Sequence, residues 1–347
     1  MHQSSGIHHR PIAATYVLPI AAMTPQLQPL TGYLARLSRT ISEVIVIDGS
    51  SPDVFAAHAR TWSRYVRHVR PNFQTTNGKV AGVLTGVCLA SNEAVVLADD
   101  DVRYKRAELV RLIELLHAYE VVRPQNYFRP LPWHARWDTA RSLYSRLGSG
   151  DWPGTLGIQR SALLVAGGYS GEVLFENFEM VQTICAAGGR ELVAADLFVA
   201  RRPPSTAHFL SQRVRQAYDE WSRPARYAGQ LALLPGGLLA GVQFGLAPLA
   251  AAVVVAICVA EVGRRKASGT RVFGAGSALW GPAWICERAV TSWLAFGMRL
   301  RGGVRYRSGR IKHAATPLRE LKRQMSGSDG RSGPDPIPSR QVIDAAV

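Results

Sequence analysis

"VVLADDDVRY", residues 95–104, stays apolar for four positions and then sets three carboxylates side by side. A short apolar, β-branched run that stops abruptly at acids reads as a buried strand ending at a site. Like charges within about 4 to 6 Å raise one another's pKa and cost free energy unless something positive lies among them. A divalent cation is the expected source of that charge. At a strand end alternate side chains point the same way, so Asp99 and Asp101 form a D-x-D pair on one face. Hard ions such as Mg²⁺ take one or two carboxylates plus substrate phosphates. The bland alternative is a helix cap or a solvated loop.

Working outward, β-branched runs alternate with helical patterns from about 13 to 205. "TYVLPI" (15–20) and "EVIVIDGSSPD" (43–53) read as strands, with "LQPLTGYLARLSR" (27–39) as the helix between them. "GKVAGVLTGVCLAS" (78–91) precedes the quoted strand, and "AELVRLIELLHAYE" (107–120) follows it with leucines at helical spacing. This is the pattern of an α/β fold with a mainly parallel sheet and helices on both faces. Such sheets bind ligands outside the carboxyl ends of their strands. Asp48 repeats the arrangement, a buried strand ending in an acid before a Gly-Ser-Ser turn. It either caps the turn or accepts hydrogen bonds from a nucleoside. "NGKVAG" (77–82) supplies Lys79 but lacks the glycine and hydroxyl spacing of a P-loop.

The chain has 347 residues, enough for one large domain or two modest ones, and a formal charge of +16. Such an excess calls for a polyanionic neighbour: nucleic acid, an anionic membrane face or a phosphate-bearing substrate. Four scattered cysteines without a CxxC pair imply neither a disulfide framework nor a zinc site. The first twenty residues lack the basic head and long apolar centre of a secretory signal, so no export is implied. His8 and His9 read as part of a solvated tail.

After Arg226 the composition changes. Residues 227–260 carry no charged side chain until Glu261, longer than the roughly 20 residues that span a bilayer. The stretch 272–298 is apolar and Trp-rich, interrupted by Glu287 and Arg288, and reads as a second span or an interfacial helix. A single crossing would put "GRRKASGTR" (263–271) outside, against the positive-inside tendency; Pro235-Gly236-Gly237 and Pro248 favour a hairpin that returns it to the cytoplasmic side. "RLRGGVRYRSGRIKH" (299–313) adds basic residues, each worth about 1 kcal/mol near anionic lipid, and explains much of the charge. The expected division is a flexible terminus at 1–12, a catalytic domain at 13–227, membrane-embedded or interfacial helices at 228–298, a basic juxtamembrane segment at 299–325 and a disordered tail at 326–347.

Taken in order, "YVLPI", "EVIVIDGSSPD", "TTNGKVAG", "VVLADDD", "GTLGIQRSALLVAGGY", "LFENFEM" and "QRVRQAYDEW" resemble the successive signatures of a membrane-associated family-2 glycosyltransferase with a GT-A fold, over about 15 to 225. The resemblance implies a nucleotide-sugar donor across the strand ends and a divalent metal, Mg²⁺ or Mn²⁺. Asp48, Lys79, Asp99 and Asp100 would then face the donor, and Asp99 and Asp101 the metal. In an "ED"-like motif an acid deprotonates the acceptor hydroxyl for inverting transfer. Here Glu176 stands at the Glu of that motif and Asn177 at its usual Asp, and asparagine cannot take a proton. Glu176 or Glu179, one helical turn apart, is the expected base. "QRVRQ" (212–216) resembles Q-x-x-R-W with Gln216 at the Trp, which implies that Gln212, Arg213 and Arg215 meet acceptor or diphosphate; Trp152 stacks on a sugar or belongs to the core.

These readings converge on a membrane-bound enzyme with a cytoplasmic catalytic domain that moves sugar to a lipid or lipid-linked acceptor. A non-catalytic nucleotide-sugar-binding scaffold and a polysaccharide synthase are the alternatives. Nucleic acid is not an expected partner, because the basic residues crowd the membrane-proximal tail and no recognition motif is present.

Overall fold

The computed structural model describes residues 10–306 and 309–326. The histidine pair at 8 and 9 and residues 327–347 of the expected tail lie outside the described residues, while Ser326 ends the last helix. In chain order the elements of the first two hundred residues are β1 (Ile12–Ile20), α1 (Leu27–Leu37), β2 (Ile41–Asp48), α2 (Pro52–Trp62), β3 (Arg67–Val69), α3 (Gly78–Leu89), β4 (Ala94–Ala98), β5 (Val102–Arg103), α4 (Arg106–Leu116), β6 (Val121–Phe128), α5 (Trp133–Leu147), β7 (Thr155–Gln159), α6 (Arg160–Val165), α7 (Glu176–Ala186) and β8 (Glu191–Arg201). The rest comprises α8 (Thr206–Ser211), α9 (Arg213–Tyr218), α10 (Pro224–Phe244), α11 (Ala247–Arg265), α12 (Gly281–Leu300), β9 (Val304–Tyr306), β10 (Gly309–Ile311) and α13 (Leu318–Ser326).

Eight strands form one sheet in the order β3-β2-β1-β4-β7-β6-β8-β5. β1 runs parallel to β2 and β4, β2 to β3, and β6 to β8, while β7 and β5 run against their neighbours. The α/β architecture expected from the sequence is therefore the one observed. Alternation along the strands builds two cores: Tyr16, Leu18, Val46 and Val96 face α1 and α4, whereas Val17, Ile45, Ile47 and Val95 face α3 and α7. The side-chain period of two in a strand is what sends neighbours to opposite faces. β1 already starts at Ile12, whose amide bonds Thr40 O at 2.9 Å, inside the stretch expected to be a flexible terminus.

The apolar run splits at Gly245, which adopts φ +69°, into α10 and α11. The two helices form a hairpin whose feet rest on the rest of the molecule. Tyr227 Oη donates to Ser292 O at 2.8 Å at one foot, and Arg146 Nε donates to Gly263 O at 3.0 Å at the other. The tip is bare, with Val242 86%, Phe244 70% and Leu246 80% exposed. From Leu231 outward, α10 rises about 21 Å at about 1.5 Å per residue, short of the roughly 30 Å hydrocarbon thickness. Ala247–Arg271 is the one stretch among the described residues that is helical, long and apolar enough to cross a membrane, with a mean hydropathy of 1.8.

Glu287 and Arg288, which interrupt the apolar stretch, do not leave their charge in the open: Arg288 is buried and Glu287 largely covered where α12 packs on α5 and α9, with Glu287 Oε2 3.6 Å from Arg213 Nη1 and Oε1 3.8 Å from Arg288 Nη2. Nor is 299–325 only a basic juxtamembrane segment. The amides of Leu174 and Phe175 bond His313 O at 3.1 Å and Ala314 O at 2.8 Å, and α13 packs on α7. Burial of Ile311, Ala314 and Leu321 explains why the chain returns to the α7 side of the sheet after α12.

Candidate active site

The strand ends of β4 and β8, the start of α3, the start of α7 and α9 surround one polar cavity of about 370 Å³. Asp99 and Asp101 enter it from the turn after β4, Lys79 from the first turn of α3, and Glu176 from the first residue of α7. Lys79 Nζ lies 2.6 Å from Asp99 Oδ1 and 2.7 Å from Glu176 Oε1. Arg201, the last residue of β8, donates through Nε to Asp101 Oδ2 at 2.7 Å and lies 3.4 Å from Asp99 Oδ2. The charge that the aspartate triplet needs is thus supplied from inside the chain, by one lysine and one arginine.

Burial opposes ionisation of Asp99, yet Lys79 and Arg201 hold its carboxyl below the usual carboxylate range. Burial also works against the Lys79 ammonium, and Asp99 and Glu176 together push its pKa up instead. Asp101 is raised by burial, with Arg201 opposing. One of its oxygens, Oδ1, is buried without a hydrogen-bond partner among the described residues. Gly154 passes so close that a Cβ there would stand 2.6 Å from Asp99 Oδ2 and 3.1 Å from Arg201 Cζ. Its lack of a side chain is what admits the ion pair.

The other expected site residues divide. Trp152, Gln212, Arg213 and Arg215 line the cavity. Trp152 lies under the Arg123 guanidinium, 3.8 Å from its ring centre, and packs on Phe175 and Phe178. Arg213 is committed elsewhere, since its Nη1 lies 3.2 Å from Asp138 and 3.6 Å from Glu287, so it is a support for α9 more than a gripping residue. Asp100 is exposed and outside the cavity wall, a correction to its expected place beside the donor. Glu179 is corrected as well. It is fully buried and turns to the carboxyl-terminal segment, accepting from the Thr316 amide at 2.6 Å. Although it shares a helix with Glu176, the docked 311–316 segment claims its face.

Asp48 is also withdrawn from solvent. Its Oδ1 accepts from the Ser50 amide at 2.9 Å, and its Oδ2 lies 2.7 Å from His58 Nδ1 and 3.0 Å from His68 Nε2. The Gln26 amide donates to His58 Nε2 at 2.8 Å, which leaves the ring proton on Nδ1 facing Asp48. Burial raises the Asp48 pKa, but the bonds from His68, Ser50 and His58 outweigh it and hold the carboxyl well below its ordinary value. The ligating atoms of these three residues lie within 4.8 Å of one another. Asp48 already accepts from Ser50 and both histidines, although His68 Nδ1 is buried without a partner among the described residues, so the turn-capping reading describes Asp48 better than nucleoside contact.

Two wall residues escaped sequence reasoning. Arg201 was hidden in the basic doublet that ends β8. Asp219, just after α9, is pushed up to about 7 by burial, with Glu176 and Glu220 adding to the effect and Arg215 opposing it. Its Oδ1 is buried and without a partner among the described residues. Asn177, which also lines the cavity, donates its amide to Pro153 O at 3.1 Å.

Residues 28–162 match the model of glycosyl transferase family 2. The chain carries a family 2 glycosyltransferase domain. The match takes in Lys79, the aspartate triplet and Trp152, whereas Glu176, Arg201 and Asp219 of the same cavity lie beyond it. Solved structures similar to the chain include the mannosyltransferase PcManGT from Pyrobaculum calidifontis in complex with GDP-Man and Mn²⁺, with 16% identity, 82% of this chain and 88% of that chain covered, and a TM-score of 0.47. Another is glucosyl-3-phosphoglycerate synthase of M. tuberculosis, with 17% identity, 57% and 75% covered, and a TM-score of 0.39. No curated protein matches the chain.

Proposed function

We propose that the glycosyltransferase transfers a sugar, with inversion, from a nucleotide-sugar donor to a lipid or lipid-linked acceptor at the cytoplasmic face of a membrane. The observation that carries this reading is the convergence of Asp99, Asp101, Lys79 and Glu176, from three separate elements, on one cavity at the strand ends. Asp99 and Asp101 would hold a divalent ion, and the unpartnered Asp101 Oδ1 is the atom that fits one. Bound there, Mg²⁺ or Mn²⁺ supplies charge for a departing diphosphate. Lys79 orients Glu176 and offers its ammonium to the donor's phosphates. Glu176 accepts the acceptor's hydroxyl proton, a role worth about 10² to 10⁴ in rate.

A specific observation favours a second reading of the base. Asp219 has a buried oxygen without a partner among the described residues and a pKa near neutrality, the value suited to proton transfer at pH 7. The two readings share every other residue.

Membrane insertion rests on the bare tip of the α10–α11 hairpin, and the orientation on Arg264, Arg265 and Lys266 at its returning foot. A hairpin of this reach enters the bilayer from one side and returns without crossing it. It would place the cavity beside lipid headgroups, as a glycolipid product of the cell envelope requires.

Detergent-purified protein incubated with UDP-, GDP- and dTDP-sugars, membrane lipid extract and Mn²⁺ tests the proposal. The expected result is a metal-dependent glycolipid from one donor, abolished by Asp101→Ala. Donor binding without product under every lipid fraction would overturn it. Loss with Glu176→Gln but not Asp219→Asn assigns the base to Glu176, and the reverse assigns it to Asp219.

A further inference from the structure

Behind the donor cavity lies a second one of about 130 Å³, walled by Arg141, Arg201, Arg223, Arg226 and Arg288. Asp138, Trp152, Phe175, Arg201, Gln216 and Asp219 line both cavities, so the two are neighbours through one layer of side chains. The carboxylates in its wall are Asp138, Asp219 and Glu220. Asp138 is already engaged by Arg141 and Arg213, each at 3.2 Å. Glu220 alone serves two arginines, with Arg223 Nη2 at 3.0 Å and Arg226 Nε at 3.3 Å.

Arg141 also meets Asp151 Oδ1 at 2.5 Å, and Arg201 is held by Asp101 and Asp99, so the positive charge with least compensation belongs to Arg223, Arg226 and Arg288. Arg288 is 1% exposed, yet its Nε and Nη1 have no partner among the described residues, and the nearest carboxylate oxygen to its Nη2 is that of Glu287 at 3.8 Å. The Nε of Arg223 is likewise buried and unpartnered among the described residues. Burial, with Arg226 and Arg141 adding to it against Glu220 and Asp219, pushes the Arg223 guanidinium down to about 10. Buried donors without acceptors cost about 1–3 kcal/mol each, and more when charged. A fold keeps such groups where a ligand completes them.

We propose that this cavity is a binding subsite for the phosphate group of a phosphorylated acceptor, separate from the site of the donor's diphosphate. It rests on the glycosyltransferase reading for the word acceptor, but not for the anion. A tetrahedral phosphate offers several oxygens to donors that converge from different helices, here Arg223 and Arg226 at the start of α10 and Arg288 on α12. A carboxylate has only two. The cavity lies at the foot of the apolar hairpin, so a lipid phosphate and a soluble phosphate ester share this chemistry and differ only in the tail.

The test is equilibrium binding, by ³¹P NMR and calorimetry, of dodecyl phosphate and of inorganic phosphate to the full chain in detergent, with dodecanol as control. Wild type is expected to bind dodecyl phosphate and not dodecanol. Arg226→Gln, at a partly exposed position that tolerates change, and Arg223→Gln should each weaken binding about tenfold or more, the loss of one charge-assisted bond. Lys79→Gln, in the donor cavity and outside this wall, should bind as wild type does. Absence of binding by wild type, indifference to both arginine variants, or equal loss in Lys79→Gln would overturn the subsite. Tighter binding of dodecyl phosphate than of inorganic phosphate supports a lipid acceptor, and equal binding supports a soluble ester. Donor hydrolysis measured alongside separates the two readings: phosphate binding without hydrolysis keeps the subsite and removes the transferase activity, whereas hydrolysis without phosphate binding removes the subsite alone.

Discussion

Arg201 Nε lies 2.7 Å from Asp101 Oδ2, one hundred residues away in the chain. Together with Lys79 on Asp99, this pair leaves the cavity close to electroneutral without any added ion. A divalent cation at Asp99 and Asp101 has to share those oxygens with the arginine. The site is thus poised between two sources of positive charge, and its metal affinity is set by how readily Arg201 gives way.

Arg201→Gln removes that competitor. The ligand-free protein should lose stability, because two carboxylates are left facing each other. Mn²⁺ should then raise the melting temperature of the variant more than that of wild type, through binding to the folded state. Thermal unfolding with and without Mn²⁺ measures both; an equal or smaller rise in the variant would count against Asp99 and Asp101 as the ion's ligands.

Gly154→Ala places a methyl 2.6 Å from Asp99 Oδ2 and 3.1 Å from Arg201 Cζ. Both neighbours are pinned by ion pairs, so the carboxylate must move. A displacement on the order of 1 Å costs roughly 10²-fold in a positioned reaction. Turnover should fall by about that factor with the fold retained, as read by circular dichroism beside activity.

Asp219 carries a sign that can be checked. Its folded pKa near 7 stands above the ordinary aspartate value, so between about pH 4 and 7 the folded state holds a proton that the unfolded chain has lost. Its contribution to stability is therefore largest at the acid side of that window and is lost as pH rises through 7. Asp219→Asn abolishes the effect. The variant should gain melting temperature over wild type at pH 8 and little at pH 5; a gain that does not depend on pH would show that the carboxyl ionises normally.

The hairpin tip is testable apart from chemistry. Val242→Glu with Leu246→Glu puts two charges on side chains that are 86% and 80% exposed in the protein. Each charge at depth in a bilayer costs roughly 2.5–3.5 kcal/mol. Flotation with vesicles should therefore fail for the double variant while nucleotide-sugar hydrolysis in detergent persists. Undiminished flotation would place the membrane contact elsewhere.

Much of this protein was legible along the chain because the signals are local. Strand alternation in β1, β2 and β4 divides the two cores, and the acids that close β4 mark the cavity mouth. The uncharged stretch from Tyr227 to Ala260, broken by glycine and proline, already called for an apolar hairpin. Periodicity and composition act over a few residues, and so a sequence displays them directly.

What the tertiary structure alone decided is which of the charged residues meet. Glu176 and Glu179 are alike in type and helical position, yet Lys79 takes the first and the Thr316 amide takes the second. Asp48 and Asp99 both end parallel strands, but two histidines close over Asp48, whereas Asp99 opens on the cavity. Arg288 reads as an awkward charge in an apolar helix until packing carries it to a wall shared with Arg223 and Asp219. Partners such as these lie from 10 to 137 residues apart, and the sheet order and helix packing that join them are cooperative properties of the whole fold. No local pattern encodes them.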